Sequence, residues 1–266
     1  MSAIDRHNVR TSGLGPDAPA IVFSHGFGCD QNMWRFVAPA FEDRFHVVLF
    51  DHIGAGGSDL SAYDEARHAS LDGYAQDVAA LLEELDLTDA AFVGHSVSAM
   101  IGALAAKRAP GRIGKLVMVG PSPRYIDEPE SGYAGGFGAE EIEELLEFLD
   151  TNHMGWSEAM APVIMGNPGR PELGQELTNS FCRTDPEIAK RFARATFTSD
   201  NRDDLPGIEV PTLILQCRDD AIASEAVGRY VHERIPGSTF VMLDATGHCP
   251  NLSAPEATTK AIADFV

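Results

Sequence analysis

A chain of 266 residues, 44% of them hydrophobic, is long enough to bury a large core and needs no more than one α/β domain. Forty acidic residues against twenty basic ones leave a formal charge of −20, which repels phosphate backbones and anionic lipid and so excludes nucleic acid and membrane surfaces as partners. Cys29, Cys182, Cys217 and Cys249 have no Cys-x-x-Cys spacing, which fits neither a disulfide framework nor a zinc site, so reduced thiols are expected. Met1 to His7 lacks the apolar core of a signal peptide and no run approaches the length of a membrane span, so a cytoplasmic location is expected.

In chain order, Ile4 to Arg10 reads as an edge strand, turned afterwards by Gly13, Gly15 and Pro16. Ala20 to Phe23 is apolar without alternation, as in a parallel strand covered on both faces, and runs into His25-Gly26-Phe27-Gly28. Val47 to Phe50 repeats that pattern and ends in a second glycine-rich loop, Asp51 to Ser58. Neither loop completes Gly-x-Gly-x-x-Gly, because Gln31 and Asp59 occupy the third positions, and no Gly-Lys-Ser/Thr follows; no nucleotide cofactor is expected.

Tyr74, Val78, Leu81, Leu82 and Leu85 recur at helical spacing between acidic residues and predict a surface helix over Leu71 to Leu87. Ala91 to Val93 is the next buried strand. It meets Gly94-His95-Ser96-Val97-Ser98, after which small and apolar residues continue as a helix that stops near Pro110-Gly111. Leu116 to Val119 is a further buried strand. Strands and helices alternate to this point as in a doubly wound, mostly parallel sheet.

The rhythm breaks after Gly120: about ninety residues separate it from the strand at Thr212 to Leu215, too many for an ordinary connection. Residues 122–201 are therefore expected to form an inserted all-helical cap, leaving 1–121 and 202–266 as the two parts of the core. Its helices are expected around Ile142 to Leu149, Ala159 to Met165, Glu172 to Cys182 and Pro186 to Thr198, with the glycines of Gly132 to Gly138 turning the chain into the cap. Leu213 to Gln216, the helix Ser224 to Ile235, the strand Thr239 to Leu243 and a closing helix from Pro255 complete the core.

Ser96 sits on a strand, tight turn, helix junction, which lifts a serine clear of the sheet. A serine hydroxyl is a weak nucleophile and needs a base within reach and a group to orient that base. His248 follows the last predicted strand and Asp220 the one before it; carboxyl ends of parallel strands share one edge, so the three can converge. Asp219 adjoins Asp220, which is favoured because Ile222 supplies the acid, x, apolar spacing of such loops. The backbone N–H groups of Phe27 and Val97 are the natural oxyanion donors. His25 reads as shaping the glycine loop and His95 as lining the pocket; His7, His46, His52, His68, His153 and His232 read as surface or packing residues. None has metal-ligand spacing, so no metal is expected.

Gly94 to Gly102, His25 to Gly28, Asp51 to Gly56, Ser122 to Tyr125, Gly135 to Phe137, Phe197 to Asp200 and Gly247-His248 together resemble the α/β-hydrolase family that holds the bacterial stress regulator RsbQ and the plant strigolactone and karrikin receptors. The resemblance covers nearly the whole chain. It implies an α/β-hydrolase fold with a four-helix, V-shaped cap over an apolar pocket, a Ser96, Asp220 and His248 triad, and a pocket lined by Phe27, His95, Phe137, Leu145, Trp156, Met160 and Phe197. Met160 stands where plant relatives tend to carry an aromatic, so their hormone specificity does not carry over. Two functions follow: a serine hydrolase of a small apolar ester or lactone such as a butenolide, or a ligand-responsive regulator of the RsbQ type whose slow hydrolysis accompanies signalling to a protein partner. Relatives of the fold that dehalogenate haloalkanes or open epoxides use an aspartate nucleophile, which Ser96 argues against; haloperoxidase-like and carbon–carbon bond hydrolase chemistries keep the serine.

Overall fold

In the computed structural model, which describes residues 2–266, the chain opens with a short helix, α1 (Ala3–Arg6), and then an edge strand, β1 (Arg10–Gly13). The edge strand expected over Ile4 to Arg10 thus begins later. Ser2 caps the helix by accepting the Asp5 N–H, and the Ala3 N–H is bound by Glu84, so the first residues gain more as a capped turn than as strand.

The parallel strands are β2 (Ala20–Ser24), β3 (His46–Leu49), β4 (Ala90–His95), β5 (Ile113–Val119), β6 (Thr212–Asp219) and β7 (Thr239–Thr246). With β1 they form one seven-stranded sheet in the order β1-β3-β2-β4-β5-β6-β7, in which β1 alone runs antiparallel. The helices between them are α2 (Leu71–Glu84), α3 (Val97–Arg108) and α8 (Glu225–Arg234), and α9 (Pro250–Ser253) and α10 (Pro255–Phe265) close the chain.

The uninterrupted apolar strands are explained by burial on both faces. Val22, Phe92 and Met118 belong to the core under α2 and α3, whereas their neighbours Phe23, Val93 and Val119 point into the opposite core, which includes Trp34 and Ile262 of α10. Between β5 and β6 the chain builds α4 (Ala139–Thr151), α5 (His153–Met165), α6 (Pro171–Arg183) and α7 (Pro186–Phe197). Leu146, Trp156, Leu177 and Phe181 of these helices join the core that holds Phe23 and Trp34, whereas Phe192 of α7 joins the opposite core and stacks on Tyr74 of α2, so the insertion reaches both cores. Among the described residues no helix is long and apolar enough to cross a membrane.

The chain runs β2 to β3 on one side and then returns to β4 on the other. The loops after β2 and β4 therefore diverge from neighbouring strands and leave a crevice between them, the usual place for a ligand in an open α/β sheet.

Candidate functional site

Ser96 follows β4 with φ 56° and ψ −125°, a conformation that a side chain adopts only when its surroundings impose it. The imposition is visible on both sides. The Ser96 N–H donates to the Val119 carbonyl at 2.8 Å, and any side chain at Gly94 would collide with the Ser98 carbonyl, so strand and helix approach as closely as backbones can.

Asp220 lies just past β6 and His248 just past β7. Ser96 Oγ is 2.7 Å from His248 Nε2, and His248 Nδ1 is 2.8 Å from Asp220 Oδ2. The other oxygen of Asp220 accepts the N–H groups of Ile222 at 2.8 Å and Ala223 at 3.0 Å. Burial alone would raise the Asp220 carboxyl; the adjoining imidazole and the two amides outweigh it and hold the group below the usual carboxylate range. With Asp220 ionised, the His248 proton sits on Nδ1 and the lone pair of Nε2 faces the Ser96 hydroxyl. Asp219 points its side chain outward, and its carbonyl accepts the Gly247 N–H at 2.7 Å.

The loop carrying His248 is tied to the insertion. The His248 N–H donates to the Ile164 carbonyl of α5 at 2.8 Å, and the Asn167 amide donates to the Met165 carbonyl at 2.6 Å and the Thr246 carbonyl at 2.8 Å. On the other flank His95 Nε2 donates to the His248 carbonyl at 2.7 Å. Burial, reinforced by the His248 ring, pushes His95 down to about 3, so it is neutral and Nε2 carries its proton. Among the described residues the N–H groups of Phe27 and Val97 enter no loop or turn hydrogen bond, and both belong to segments that border Ser96.

A cavity lies above Ser96. The centre of a water molecule can range over about 30 Å³ of it, within about 410 Å³ of atom-free space. Phe27, Cys29, His95, Ser96, His248 and Cys249 supply the sheet side, and Ile164, Leu177, Phe181, Thr196 and Phe197 the insertion side, with Tyr125 and Ile222 between. Burial pushes the Cys29 thiol up to about 12 and the Cys249 thiol well above its ordinary value, which favours the protonated form of both.

Of the residues expected on the pocket wall, Phe27, His95 and Phe197 line this cavity, whereas Phe137, Leu145, Trp156 and Met160 do not. Trp156 stands one layer behind, its ring 5.3 Å from Phe181 and 6.0 Å from Phe27, so the Phe181 ring takes the place at the wall. Leu145 and Met160 are half-buried against the same apolar core, and Phe137 is held by backbone bonds to Tyr125 and Asp127. The wall residues the sequence reading did not single out had a signal: Leu177 and Phe181 recur with the core residue Leu173 every four residues along one stripe of α6, and Thr196 is a polar residue between apolar neighbours on α7.

A sequence profile of the alpha/beta hydrolase family matches residues 21–261. Karrikin insensitive 2 receptor IA of Petunia hybrida is 38% identical over 250 residues, spanning 94% of this chain and 90% of its own. A strigolactone esterase of Pisum sativum is 38% identical over 253 residues, 95% of this chain and 93% of its own. The solved structure of a hydrolase from Oleispira antarctica superimposes with a TM-score of 0.95 at 42% identity, covering 99% of this chain and 95% of that one. Strand order, the turn at Ser96, the extent of the profile match and these similarities agree: the chain belongs to the alpha/beta hydrolase family.

Proposed function

We propose that the protein is a serine hydrolase that cleaves a small, apolar ester or lactone, of which a butenolide is the model, through an acyl-enzyme. The observation that carries this reading is the unbroken relay from Ser96 Oγ through His248 to Asp220 at the floor of an apolar cavity. Ser96 Oγ attacks the ester carbonyl as its proton passes to His248 Nε2, and Asp220 stabilises the imidazolium that forms. The carbonyl oxygen becomes an oxyanion that the N–H groups of Phe27 and Val97 receive. Collapse of the tetrahedral intermediate expels an alkoxide, which takes the proton from His248; in a lactone that alcohol stays tethered to the acyl group. Water, deprotonated by the same imidazole, then releases the acid and restores Ser96.

Residues 122–201 act in this scheme as a cap that excludes water. The space open to the centre of a water molecule, about 30 Å³, is smaller than the pockets that usually hold drug-sized ligands, which favours a small substrate or a cap that yields to admit it. Similarity to an esterase and to a hydrolase supports the same chemistry. The test is release of nitrophenol from p-nitrophenyl acetate and of the alcohol from a chromogenic butenolide. Ser96→Ala should lower kcat by on the order of 10⁵-fold, and equal rates for variant and wild type would refute the proposal.

A second reading, a ligand-responsive regulator that signals to a protein partner, is favoured by the bond from the His248 N–H to the Ile164 carbonyl, because it couples the reacting loop to the cap. Hydrogen exchange of residues 164–167 and 246–249 should then change together on addition of a butenolide. Independent behaviour of the two segments speaks against it.

A further inference from the structure

We propose that Ser98, His52 and His25 form a buried positioning relay that aims the Phe27 N–H at the oxyanion, with Ser98 joining the two segments that carry the donors. The inference rests on the hydrolase reading above and adds to it residues that never touch the substrate.

A backbone donor is aimed only as well as its peptide plane. The Gly26–Phe27 peptide is trans, so the Phe27 N–H points opposite to the Gly26 carbonyl, and whatever fixes that oxygen fixes the donor. The Gly26 carbonyl is held at 2.8 Å by His25 Nδ1 and at 3.3 Å by the Cys29 N–H. The His25 tautomer follows from its other nitrogen: Nε2 receives the His52 backbone N–H at 3.1 Å and must be the acceptor, so the proton is on Nδ1 and is donated to Gly26. The His25 carbonyl in turn accepts the Ser98 hydroxyl at 2.5 Å. Ser98 Oγ receives His52 Nε2 at 2.8 Å and the Ser24 hydroxyl at 3.0 Å. Burial holds His52 well below its ordinary value, so its ring is neutral and one proton serves this bond.

Ser24 ends β2 and His25 follows it, His52 lies just past β3, and Ser98 lies in the first turn of α3, next to Val97. The network therefore ties the loop of one proposed donor to the helix of the other. Ser24, His25 and Ser98 are 0% exposed and His52 1%, and none lines the cavity. A Ser–His–Ser contact of this kind is not a second catalytic set, because among the described residues His52 Nδ1 has no partner and no carboxylate orients the ring. Family motifs of this type usually carry glycine where this chain has Ser98, and a glycine could not make the bond to His25.

The experiment compares wild type with Ser98→Ala, Ser98→Thr and Ser98→Cys in the full chain. Its readouts are kcat and KM for p-nitrophenyl acetate, the affinity of an alkyl trifluoromethyl ketone that forms an oxyanion on Ser96, the affinity of the matching alkyl ether, and the melting temperature. Ser98→Ala should lower kcat and ketone affinity by the same factor, about 10- to 100-fold, short of the loss expected when a donor is removed outright. KM and ether affinity should stay within about twofold, since the relay acts on the transition state. Ser98→Thr, which restores the hydroxyl, should recover most of the loss. If Ser98→Ala does not fold, Ser98→Cys keeps the volume with a weaker donor and should show the same paired loss to a smaller degree. An active wild type whose folded Ser98 variants keep kcat and ketone affinity, or lose ketone and ether affinity alike, overturns the relay alone. A wild type that neither turns over the ester nor binds the ketone overturns the hydrolase reading and the relay with it.

Discussion

At the carboxyl edge of the sheet, polar atoms hold one another: Asp220 makes bonds to a ring and two amides, and His248 is fixed by Ser96, Asp220, His95 and α5. Three of the inserted helices, α5, α6 and α7, reach the same cavity almost entirely through apolar side chains, Ile164, Leu177, Phe181 and Phe197, and the one hydroxyl they bring, on Thr196, has no partner among the described residues. Directional bonds at the edge permit little change without loss of geometry, whereas apolar contacts tolerate substitution of similar volume. On the proposed function, chemistry is thereby kept at the sheet edge and the shape of the ligand is left to the helices.

The contrast can be broken first at the edge. Asp220→Asn preserves shape but presents an amide to His248 and favours the wrong tautomer; kcat on p-nitrophenyl acetate should fall by about 10⁴-fold with little change in KM. A loss under tenfold would remove Asp220 from its role.

In the insertion the large effect should be on stability. Trp156→Ala empties a fully buried site between Phe27 and Phe181, and denaturant unfolding should show a loss of about 3–5 kcal/mol. At a temperature where the variant is folded, kcat should stay within a few-fold of wild type. A kcat that collapses in a folded Trp156→Ala would erase the division between the two regions.

Acid should act on the sheet side. His95 in the folded protein titrates near 3 because burial disfavours its charged form, whereas in the unfolded chain it takes a proton near 6.5. Its contribution is complete above about pH 6.5 and is lost as pH falls toward 3, with a limiting slope of about 1.4 kcal/mol per pH unit for one proton. His52 and His7, also lowered by burial, add in the same direction. Melting temperatures between pH 7 and 5 should fall with acid, and His95→Asn should show a shallower fall; an unchanged pH dependence would contradict the burial of a neutral ring.

The smallest effects are expected at Leu145 and Met160, which stand outside the cavity wall. Leu145→Ala and Met160→Ala should leave kcat/KM for the acetate ester within about threefold. A larger shift would mean that the cap opens to a pocket these side chains help to line.

Much of the core was legible in sequence because its signals are local. Strands covered on both faces read as unbroken apolar runs, as at Ala20 to Phe23 and Ala91 to Val93, and the turn at Ser96 has a short motif set by steric contact between neighbouring residues. The N-terminal strand was displaced because Ser2 and Glu84 offer the first amides better partners than an edge pairing does, and Glu84 is remote in sequence. In the insertion the helices were readable from periodicity, but periodicity reports which face is apolar and not what that face meets. Thus Phe181 rather than Trp156 reached the wall, and His52, read as a packing or surface histidine, lies at the centre of a bonded network.

By itself the sequence determined the alternation of strands and helices, the long helical insertion and the local settings of Ser96, Asp220 and His248 after successive strands, since each depends on residues near one another in the chain. Tertiary structure decided that His248 bonds to both Ser96 and Asp220, that Asn167 grips the His248 loop, and that Ser98 clasps the His25 carbonyl. These contacts span up to 152 residues, and a hydrogen bond needs alignment within a few tenths of an ångström that only the packed sheet and its helices supply.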